Sequence, residues 1–360
     1  MENLVDMNIK NFYKNKKVFL TGHTGFKGCW LALLLKELGA DITGYSLSAD
    51  PTQDSLFKLT KLENKINSII SDIRDTKKLE HEIKTSSPDI VFHLAAQPLV
   101  RDSYLDPIET YSTNIIGTVN LLEIIRNINS NTKAVINITT DKCYENQERS
   151  EPYKENDKLG GHDPYSASKA CSEIVTSSYY KSFYSKNNIG LASARAGNVI
   201  GGGDFSKDRI IPDLVRSIKQ NNKTIIRSPN AIRPWQHVFD ALYGYLILGQ
   251  KLYENPKRYS QAYNFSPLDT KEINVENLVK QLLAIMDNGS YKIDKKAANL
   301  HEAQILKLDS SKAKKELGWI PKFDVGKSIK QTAIWYKNYL NLENIEEYSY
   351  SHLQNYINLL

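Results

Sequence analysis

A chain of 360 residues, 41% of them apolar, is long enough to bury one large core or two lobes. Its net charge of +6 is modest and its lysines form no basic stripe, which disfavours nucleic-acid binding. With no apolar run of about 18 residues and only three cysteines, we expect a cytoplasmic protein that has no membrane partner and no disulfide framework.

The first predicted element is a strand that leads through a glycine-spaced turn into a helix. Residues 18–20 form an apolar run that stops at Gly22, and the helical pattern that follows is closed by Gly39. Glycines in such a turn either serve close packing or let the backbone approach a diphosphate at the helix N-terminus, and the strand-turn-helix order favours the diphosphate. The expected cofactor cradle consists of Gly22, Thr24, Gly25, Phe26, Lys27 and Gly28.

The next two predicted strands bear on the adenosine half of the cofactor. The strand DITGYS ends at Ser46 without a carboxylate for the ribose, and Asp50 lies beyond it. Because no arginine follows to bind a 2′-phosphate, we expect NAD rather than NADP. After the third strand, NSII, Asp72 with Ile73 either reaches the adenine or Asp72 caps a helix that begins near Thr76.

Two further apolar runs, within residues 89–104 and 133–144, predict central parallel strands buried on both faces. Ligands collect beyond the carboxyl ends of such strands, so the residues that follow both runs should face one crevice. A helical pattern over residues 107–126 lies between the runs, and its Asn114 and Thr118 are expected to pack or support rather than react. The crevice residues are Leu94, Ala95, Ala96 and Thr139 for the cofactor, Gln97 for the substrate, and Thr140, Asp141 and Lys142 for catalysis.

Tyr165 and Lys169 stand one turn apart on the next predicted helix. A neighbouring ammonium and a positive nicotinamide ring both favour the phenolate, which can take a proton from a hydroxyl while hydride leaves the same carbon. The same spacing is common on exposed helices, and the pair gains its meaning from the order of the motifs. Cys143, beside this site, has no assigned base partner and is expected to pack.

These motifs resemble the extended short-chain dehydrogenase/reductase family from about Lys17 to the C-terminus. The resemblance is carried by GHTGFKG, HLAAQPLVRDSY, TTDKCYEN, GGHDPYSASKA, RAGNVIGGGD, DRIIPD, AIRPWQHV and HEAQILKLD. It implies an α/β fold with a Rossmann-type doubly wound parallel sheet, a smaller C-terminal substrate-binding lobe, bound NAD and a homodimer. Within the family, Asp-Lys after the threonine is typical of the branch that acts on CDP-glucose, whereas the dTDP-glucose branch carries Asp-Glu.

The resemblance also implies a lyase that removes water from a nucleotide sugar by oxidising C4, eliminating across C5 and C6 and returning the hydride to C6, as in deoxysugar synthesis for O-antigens. Tyr165 would be the base for the C4 hydroxyl, Lys169 would lower its pKa and hold the nicotinamide ribose, and Thr140 would bind the 4-oxygen. Asp141 would protonate the leaving hydroxyl. Lys142 occupies the position of the C5 base, and either a dry site makes it that base or it acts electrostatically.

The C-terminal half is expected to supply the nucleotide-sugar pocket. Arginine suits this task because its planar fork binds phosphate oxygens bidentately. Trp235 either stacks near the base or belongs to the core between the lobes, and His237 shows no metal-ligand spacing, so no metal site is expected. The substrate candidates in this half are Asn198, Arg209, Arg227, Arg233 and His301.

Two rival functions stay open at this point. A sister nucleotide-sugar epimerase would use the same tyrosine and lysine but needs no acid-base pair after the threonine, and a non-catalytic NAD-binding regulator would need neither. The predicted cofactor domain is 1–195 with part of 230–270 returning to it, and the cap is 196–229 with 271–360. The tail EYSYSHLQNYINLL has helical apolar spacing; burial within the monomer is expected, and docking on the cap or a second subunit is the alternative.

Overall fold

The computed structural model describes residues 9–128, 131–267, 272–294 and 305–360. His301, predicted to bind substrate, lies outside the described residues. The strands are β1 Lys17–Thr21, β2 Asp41–Ser46, β3 Asn67–Ile70, β4 Ile90–His93, β5 Ala134–Ile138, β6 Gly190–Ala196, β7 Val199–Ile200, β8 Thr224–Ile226, β9 Gln236–His237, β10 Ala262–Phe265 and β11 Tyr291–Ile293.

Seven of these strands form one sheet in the order β10-β6-β5-β4-β1-β2-β3, and every pairing in it is parallel. The order reverses between β1 and β4, which is where an open α/β sheet forms its ligand crevice. The predicted Rossmann-type α/β fold is therefore confirmed. Two small sheets, β7 with β9 and β8 with β11, come from the second half of the chain.

Helices follow most strands, as parallel pairing requires. The predicted helix over residues 107–126 is confirmed as one helical segment, in which a π turn at Ser112–Ile116 joins two α-helices. The α-helices are α1 Phe26–Glu37, α2 Leu56–Leu59, α3 Thr76–Ser86, α4 Val100–Leu105, α5 Pro107–Tyr111, α6 Gly117–Asn127, α7 Pro164–Ser182, α8 Ile210–Lys219, α9 Val238–Glu254, α10 Pro256–Tyr259, α11 Val275–Met286, α12 Val325–Leu340 and α13 Ile345–Ile357.

The central strands are covered on both faces because their alternate side chains enter two different cores. Val18 and Leu20 of β1 belong to the core that contains Leu246 of α9. Phe19, between them, belongs to the second core with Leu121 of α6. This double burial explains why the strands are continuous apolar runs rather than alternating ones.

One of the two interpretations of Asp72 is wrong. The cap of α3 is Asp75, whose side chain accepts a hydrogen bond from the backbone N–H of Lys78. Asp72 instead forms an ion pair with Arg74, with 2.6 Å between Oδ2 and Nη2. Contact between Asp72 and the adenine stays a prediction.

The C-terminal tail forms α13 and is buried within the monomer, as expected. Tyr356 donates a hydrogen bond of 2.7 Å to the carboxylate of Asp240 on α9, and His352 packs against Trp30 of α1. The tail therefore packs against α1 and α9, two of the helices that cover the central sheet. The predicted division into two domains stays a prediction. Within the described parts of the chain, no helix has both the length and the apolar character to cross a bilayer.

The contact between α9 and α13 contains two buried histidines, His237 and His352, whose ring centroids lie 5.6 Å apart. Burial lowers the pKa of His352 to about 4. Burial, and then the charges of His352 and Lys327, lower the pKa of His237 well below its usual value. Burial also raises the pKa of the adjacent Asp240 to about 6. Below that pH this carboxyl takes up a proton in the folded protein, which stabilises the fold and offsets part of the loss of stability caused by the two histidines.

We therefore expect acid to destabilise this contact. A histidine whose folded pKa lies below its unfolded value of about 6.5 binds more protons when unfolded, so each pH unit below 6.5 costs up to about 1.4 kcal/mol per histidine until the folded pKa is reached. Denaturant unfolding between pH 7.5 and 4.5 should give a shallower loss of stability for His352→Phe than for the wild type. The control His81→Gln changes a solvent-exposed ring and should keep the wild-type slope. Equal slopes in all three proteins would contradict this explanation.

Candidate active site

The glycine turn lies between β1 and α1, at the carboxyl edge of the sheet. Gly22 has φ +79°, and a Cβ on it would lie 2.8 Å from the backbone N of Ala95. A Cβ on Gly28 would lie 2.0 Å from the backbone oxygen of Gly22, whereas one on Gly25 would meet that oxygen at an ordinary 3.4 Å. The fold itself therefore requires glycine at positions 22 and 28. At Gly25 the space beside the backbone is open, so a side chain could be accommodated there.

Helix α1 begins at Phe26 with neither a side-chain cap nor an acidic residue in its first turn. The N–H groups at its start therefore point, with the positive end of the helix dipole, at the open space beside Gly25. This arrangement fits a dinucleotide diphosphate.

Substitutions at the turn should separate cofactor binding from folding. Gly25→Asp is expected to weaken cofactor binding by about a hundredfold or more, because a carboxylate would enter the diphosphate position, while the melting temperature without cofactor stays near that of the wild type. Gly28→Ala should lower the melting temperature itself. Calorimetric titration with the cofactor and thermal unfolding measure the two effects. Unchanged affinity in Gly25→Asp would rule out this position for the diphosphate.

The other predicted cofactor residues hold the ends of the neighbouring strands. The hydroxyl of Thr24 donates to the backbone oxygen of Leu47 after β2 at 2.8 Å. The backbone N–H groups of Leu94 and Ala95 both donate to the hydroxyl of Thr21 at 3.1 Å, which ties the end of β4 to β1. Ile73 is buried, and Ala96 is half-buried beside Ala95. Their contacts with a cofactor stay predictions.

Thr140, Asp141 and Lys142 form a short turn directly after β5. Thr140 donates to Asp141 Oδ1 at 2.9 Å, and the ammonium of Lys142 lies 3.8 Å from the same oxygen. Asp141 is 1% exposed, and its other oxygen, Oδ2, has no hydrogen-bond partner among the described residues. A buried carboxylate oxygen without a donor is costly, so this atom is suited to meet a hydroxyl of a bound ligand. The Lys142 side chain is 34% exposed, which places it at the opening of the site.

Tyr165 and Lys169 lie on α7 and are both buried beside this turn. Burial raises the pKa of Tyr165 to about 12, while a hydrogen bond with the Thr140 side chain and the positive charge of Arg209 act to lower it. Burial lowers the pKa of Lys169 to about 8, and its ammonium donates to the backbone oxygen of Ile138 at 3.2 Å. Among nearby charges, Arg209 has the largest lowering effect on the pKa of Tyr165, a role that the sequence assigned to Lys169.

Lys27 of the glycine turn belongs to the same charged environment. Its pKa is lowered to about 7, first by burial and then by the positive charges of Lys169 and Arg209, and Asp141 opposes the shift. Its ammonium lies 6.0 Å from the centre of the Tyr245 ring. The cofactor turn and the catalytic corner therefore meet in one electrostatic site.

Two of the three predicted substrate arginines are paired with carboxylates in the second half of the chain, and the third donates to a backbone oxygen. Arg209 pairs with Asp204 at 2.8 Å, and Arg227 pairs with Asp208 at 3.0 Å. Arg233 donates to the backbone oxygen of Ile232 at 2.9 Å. Of these three arginines, Arg209 is the one whose positive charge lowers the pKa of Tyr165.

Asn198 and Gln97, the two predicted substrate amides, differ in what their side chains do. Asn198 Oδ1 is buried and has no hydrogen-bond partner among the described residues, so it remains available to a ligand. The side chain of Gln97 donates to Thr110 at 2.9 Å and to Leu99 at 3.0 Å, and is used to fold its own loop. Substrate contact by both residues stays a prediction.

Three predictions of packing roles are confirmed. Asn114 donates to the hydroxyl of Ser168 on α7 at 2.8 Å, and Thr118 contacts His93 at 3.2 Å. Cys143 is fully buried, and burial raises the pKa of its thiol. Trp235 follows the core alternative, since it is buried and donates to the backbone oxygen of Ile273 at 2.9 Å.

Sequence reasoning missed a buried ion pair beneath the site. Glu173 lies one turn after Lys169 on α7, and its carboxylate contacts Arg195 of β6 at 2.7 Å. The signal was present, because Tyr165, Lys169 and Glu173 follow one another at intervals of four residues and so share a helix face.

The doubly wound sheet, the glycine turn and the Tyr-x-x-x-Lys pair together define a dinucleotide-binding protein of the short-chain dehydrogenase/reductase type. The family described as GDP-mannose 4,6 dehydratase matches residues 19–332. CDP-glucose 4,6-dehydratase of Salmonella typhimurium is 49% identical over 93% of this chain and 94% of that protein. The chain therefore belongs to this dehydratase family of extended short-chain dehydrogenases/reductases.

Solved structures support the fold. A dTDP-glucose 4,6-dehydratase from Bacillus anthracis, solved in complex with NAD, is 22% identical and superposes with a TM-score of 0.74 over 91% of this chain and 98% of that chain. A UDP-glucose 4-epimerase from Thermotoga maritima, also 22% identical, gives a TM-score of 0.76 over 90% and 99%. Dehydratases and epimerases thus share this fold.

Proposed function

We propose that the protein dehydrates CDP-glucose to CDP-4-keto-6-deoxyglucose, as a lyase that uses bound NAD. The relative that is 49% identical over nearly its whole length is a CDP-glucose 4,6-dehydratase, which supports this substrate and reaction. The observation that carries the proposal is the corner where the Tyr165 phenol, the Thr140 hydroxyl and an unpartnered oxygen of Asp141 lie together.

NAD fits the residues present. The open space at Gly25 and the uncapped start of α1 suit its diphosphate, and the related dehydratase of known structure was solved with NAD. When bound, NAD accepts a hydride from C4 of the sugar and later returns it to C6. Lys169, whose ammonium donates to the backbone oxygen of Ile138 at the end of β5, would contact the nicotinamide ribose.

Tyr165 takes the proton of the C4 hydroxyl as the hydride leaves C4. Its pKa of about 12 in the protein alone already includes the lowering effects of the Thr140 hydrogen bond and the Arg209 charge, so the positive nicotinamide ring would have to supply the further fall that this step needs. Thr140 has a single hydroxyl proton, which it donates to Asp141 Oδ1, and it would redirect this proton to the 4-oxygen to hold the C4–H bond in place for transfer.

Elimination follows because the C4 ketone makes the C5 proton acidic. For this step Lys142 would be the neutral amine and Asp141 the protonated acid. The C5–H bond breaks and its proton would pass to the amine of Lys142, which becomes an ammonium. The C6–O bond breaks, and Asp141 would give its proton to the leaving hydroxyl, which departs as water and leaves Asp141 as a carboxylate. The hydride then adds to C6 and a proton returns to C5, so the sugar loses one water without net oxidation.

The acid at position 141 separates this proposal from the epimerase alternative. An epimerase oxidises and reduces C4 and needs no group to protonate a leaving hydroxyl. A buried carboxylate with an oxygen free for a ligand hydroxyl, next to a lysine at the opening of the site, suits elimination. The nucleotide diphosphate would be bound by Arg209, Arg227 and Arg233, and Asn198 would contact the ribose.

The proposal is tested by supplying the purified protein and NAD with CDP-, dTDP-, GDP- or UDP-glucose in deuterium oxide and following the sugar by NMR. We expect CDP-glucose to give a 4-keto-6-deoxy product, with one solvent deuterium at C5 and without added reductant. A C4 epimer, or turnover confined to another nucleotide, would contradict it.

The three cysteines are free thiols, two of them buried, which supports the further proposal of a cytoplasmic enzyme.

We further propose a homodimer formed by α7 and the helical segment of residues 107–127. These helices lie side by side and expose large apolar side chains: Ile108 is 80% exposed, Ile174 58% and Ile116 50%. Single exposed apolar residues are ordinary, but a group of them on adjacent helices indicates an interface.

Two aspartates on this apolar face should dissociate the dimer without unfolding the chain. Light scattering after size-exclusion chromatography is expected to give a dimer for the wild type and a monomer for the double variant Ile108→Asp, Ile174→Asp. Leu342→Asp, at a leucine that is 92% exposed outside this face, is the matched control and should stay dimeric. A monomeric wild type would overturn the dimer proposal.

A further inference from the structure

The turn that contains Thr140, Asp141 and Lys142 is anchored at both ends to the same buried ion pair. Before the turn, the hydroxyl of Thr139 donates to Glu173 Oε1 at 2.5 Å. After it, the phenol of Tyr144 accepts a hydrogen bond of 2.8 Å from Arg195 Nη1. Glu173 and Arg195 contact each other at 2.7 Å, and their side chains are 3% and 4% exposed.

This pair is built into the fold rather than placed on its surface. Burial alone would raise the pKa of Glu173, but the charge of Arg195, together with hydrogen bonds from Arg195, Thr139 and Ser193, keeps the pKa below its usual value. The hydroxyl of Ser193 on β6 donates to Glu173 Oε2 at 2.7 Å. A charged pair that is buried and hydrogen-bonded in this way has few alternative geometries, so it can fix the position of what it holds.

The outer end of the anchor reaches the second half of the chain. Tyr144 donates to Asn264 Oδ1 on the edge strand β10 at 2.7 Å, and the amide of Asn264 donates to the backbone oxygens of Tyr153 at 3.0 Å and Asp309 at 3.2 Å. Tyr144 is therefore bonded to strands β6 and β10, and Asn264 of β10 is in turn bonded to the segments that contain Tyr153 and Asp309. Neither Glu173 nor Arg195 is hydrogen-bonded to Thr140, Asp141 or Lys142 within the described residues.

We propose that Glu173 and Arg195 are positioning residues for elimination, which clamp the 139–144 turn so that Asp141 and Lys142 meet C6 and C5 of the sugar. This inference rests on the proposed dehydratase function. Of the two groups assigned to C4 oxidation, Thr140 lies on the turn and Tyr165 lies on α7, whereas both groups assigned to elimination lie on the turn. Loosening the turn should therefore slow elimination more than it slows oxidation.

The clamp can be loosened at either end without breaking the ion pair. Tyr144→Phe removes the phenolic hydroxyl that accepts a hydrogen bond from Arg195. Thr139→Val removes the hydroxyl that donates a hydrogen bond to Glu173. Matched controls are Tyr184→Phe, which removes a buried phenol bonded to Leu122 at 2.7 Å, and Thr132→Val, which removes a buried hydroxyl bonded to the backbone of residue 88 at 2.9 Å. Thermal unfolding of all four variants verifies that they fold.

Single-turnover reactions with CDP-glucose, quenched and reduced with labelled borohydride, measure the CDP-4-ketoglucose intermediate and the 4-keto-6-deoxy product separately. Because small displacements of reacting groups are costly, we expect Tyr144→Phe and Thr139→Val to slow elimination about tenfold or more, and to slow C4 oxidation by a smaller factor. The 4-ketoglucose intermediate should then accumulate in these two variants and not in the controls.

An unchanged partition between intermediate and product in Tyr144→Phe would overturn the clamp, and so would an equal shift in Tyr184→Phe. Failure of the proposed function is recognised separately, because the wild type itself would then form no 4-keto-6-deoxy product. That result would remove the clamp proposal together with its basis.

Discussion

Tyr165→Phe should lower kcat by about 10²- to 10⁴-fold, since it removes the group that takes the C4 proton. The phenol is buried, contacts Thr140 and lies within the electrostatic influence of Arg209, so no solvent base can take its place in the same geometry. Cofactor affinity should change little, because the diphosphate site lies at the glycine turn. Steady-state kinetics and calorimetric titration with NAD measure the two properties.

The matched control for this prediction lies on the same helix. Tyr179 lies about 21 Å further along α7, where its hydroxyl donates to Glu123 at 3.2 Å, and Tyr179→Phe should keep near wild-type kcat. If Tyr165→Phe retained more than about a tenth of the wild-type kcat, another base would have to be sought for C4 oxidation.

Asp141→Asn should stop the reaction after C4 oxidation. An amide of nearly the same shape keeps the contacts of the buried side chain but cannot give a proton to the leaving hydroxyl, so product formation should fall by about 10²- to 10⁴-fold. C4 oxidation needs Tyr165 and Thr140 and should persist. Borohydride trapping should then find CDP-4-ketoglucose in Asp141→Asn and almost none in Tyr165→Phe.

Lys142→Met distinguishes the two roles left open for that lysine. If Lys142 is the C5 base, the variant should lose exchange of the C5 hydrogen with solvent in the trapped intermediate. If Lys142 acts only through its charge, exchange should continue at a reduced rate. Complete dehydration by Asp141→Asn at the wild-type rate would contradict the assignment of the acid whatever Lys142 does.

The layers of the fold, the glycine turn and the shared helix face of Tyr165 and Lys169 were predictable because they depend on local patterns. Residues 18–20 and residues 134–136 are apolar without alternation, which identifies strands buried on both faces, and Gly22 and Gly28 stand where the backbone admits no side chain. Tyr165 and Lys169 share a helix face by spacing alone.

The supporting contacts were not predictable, because they join residues that are distant along the chain. Arg195 meets Glu173 only after β6 has paired with β5 and α7 has packed over both. Arg227 appeared as a phosphate ligand in the sequence, yet Asp208 already pairs with it. Asp72 and Asp75 look equivalent as helix caps, and only the backbone path after β3 gives that role to Asp75.

The central claim is that one hydride leaves C4 and returns to C6 of the same sugar while the turn after β5 removes water. The most direct test supplies CDP-glucose deuterated at C4 to the protein with unlabelled NAD and locates the deuterium in the product by NMR. Deuterium at C6 of a 4-keto-6-deoxy sugar is the predicted result. Deuterium that remains at C4 or is lost to solvent would contradict the account.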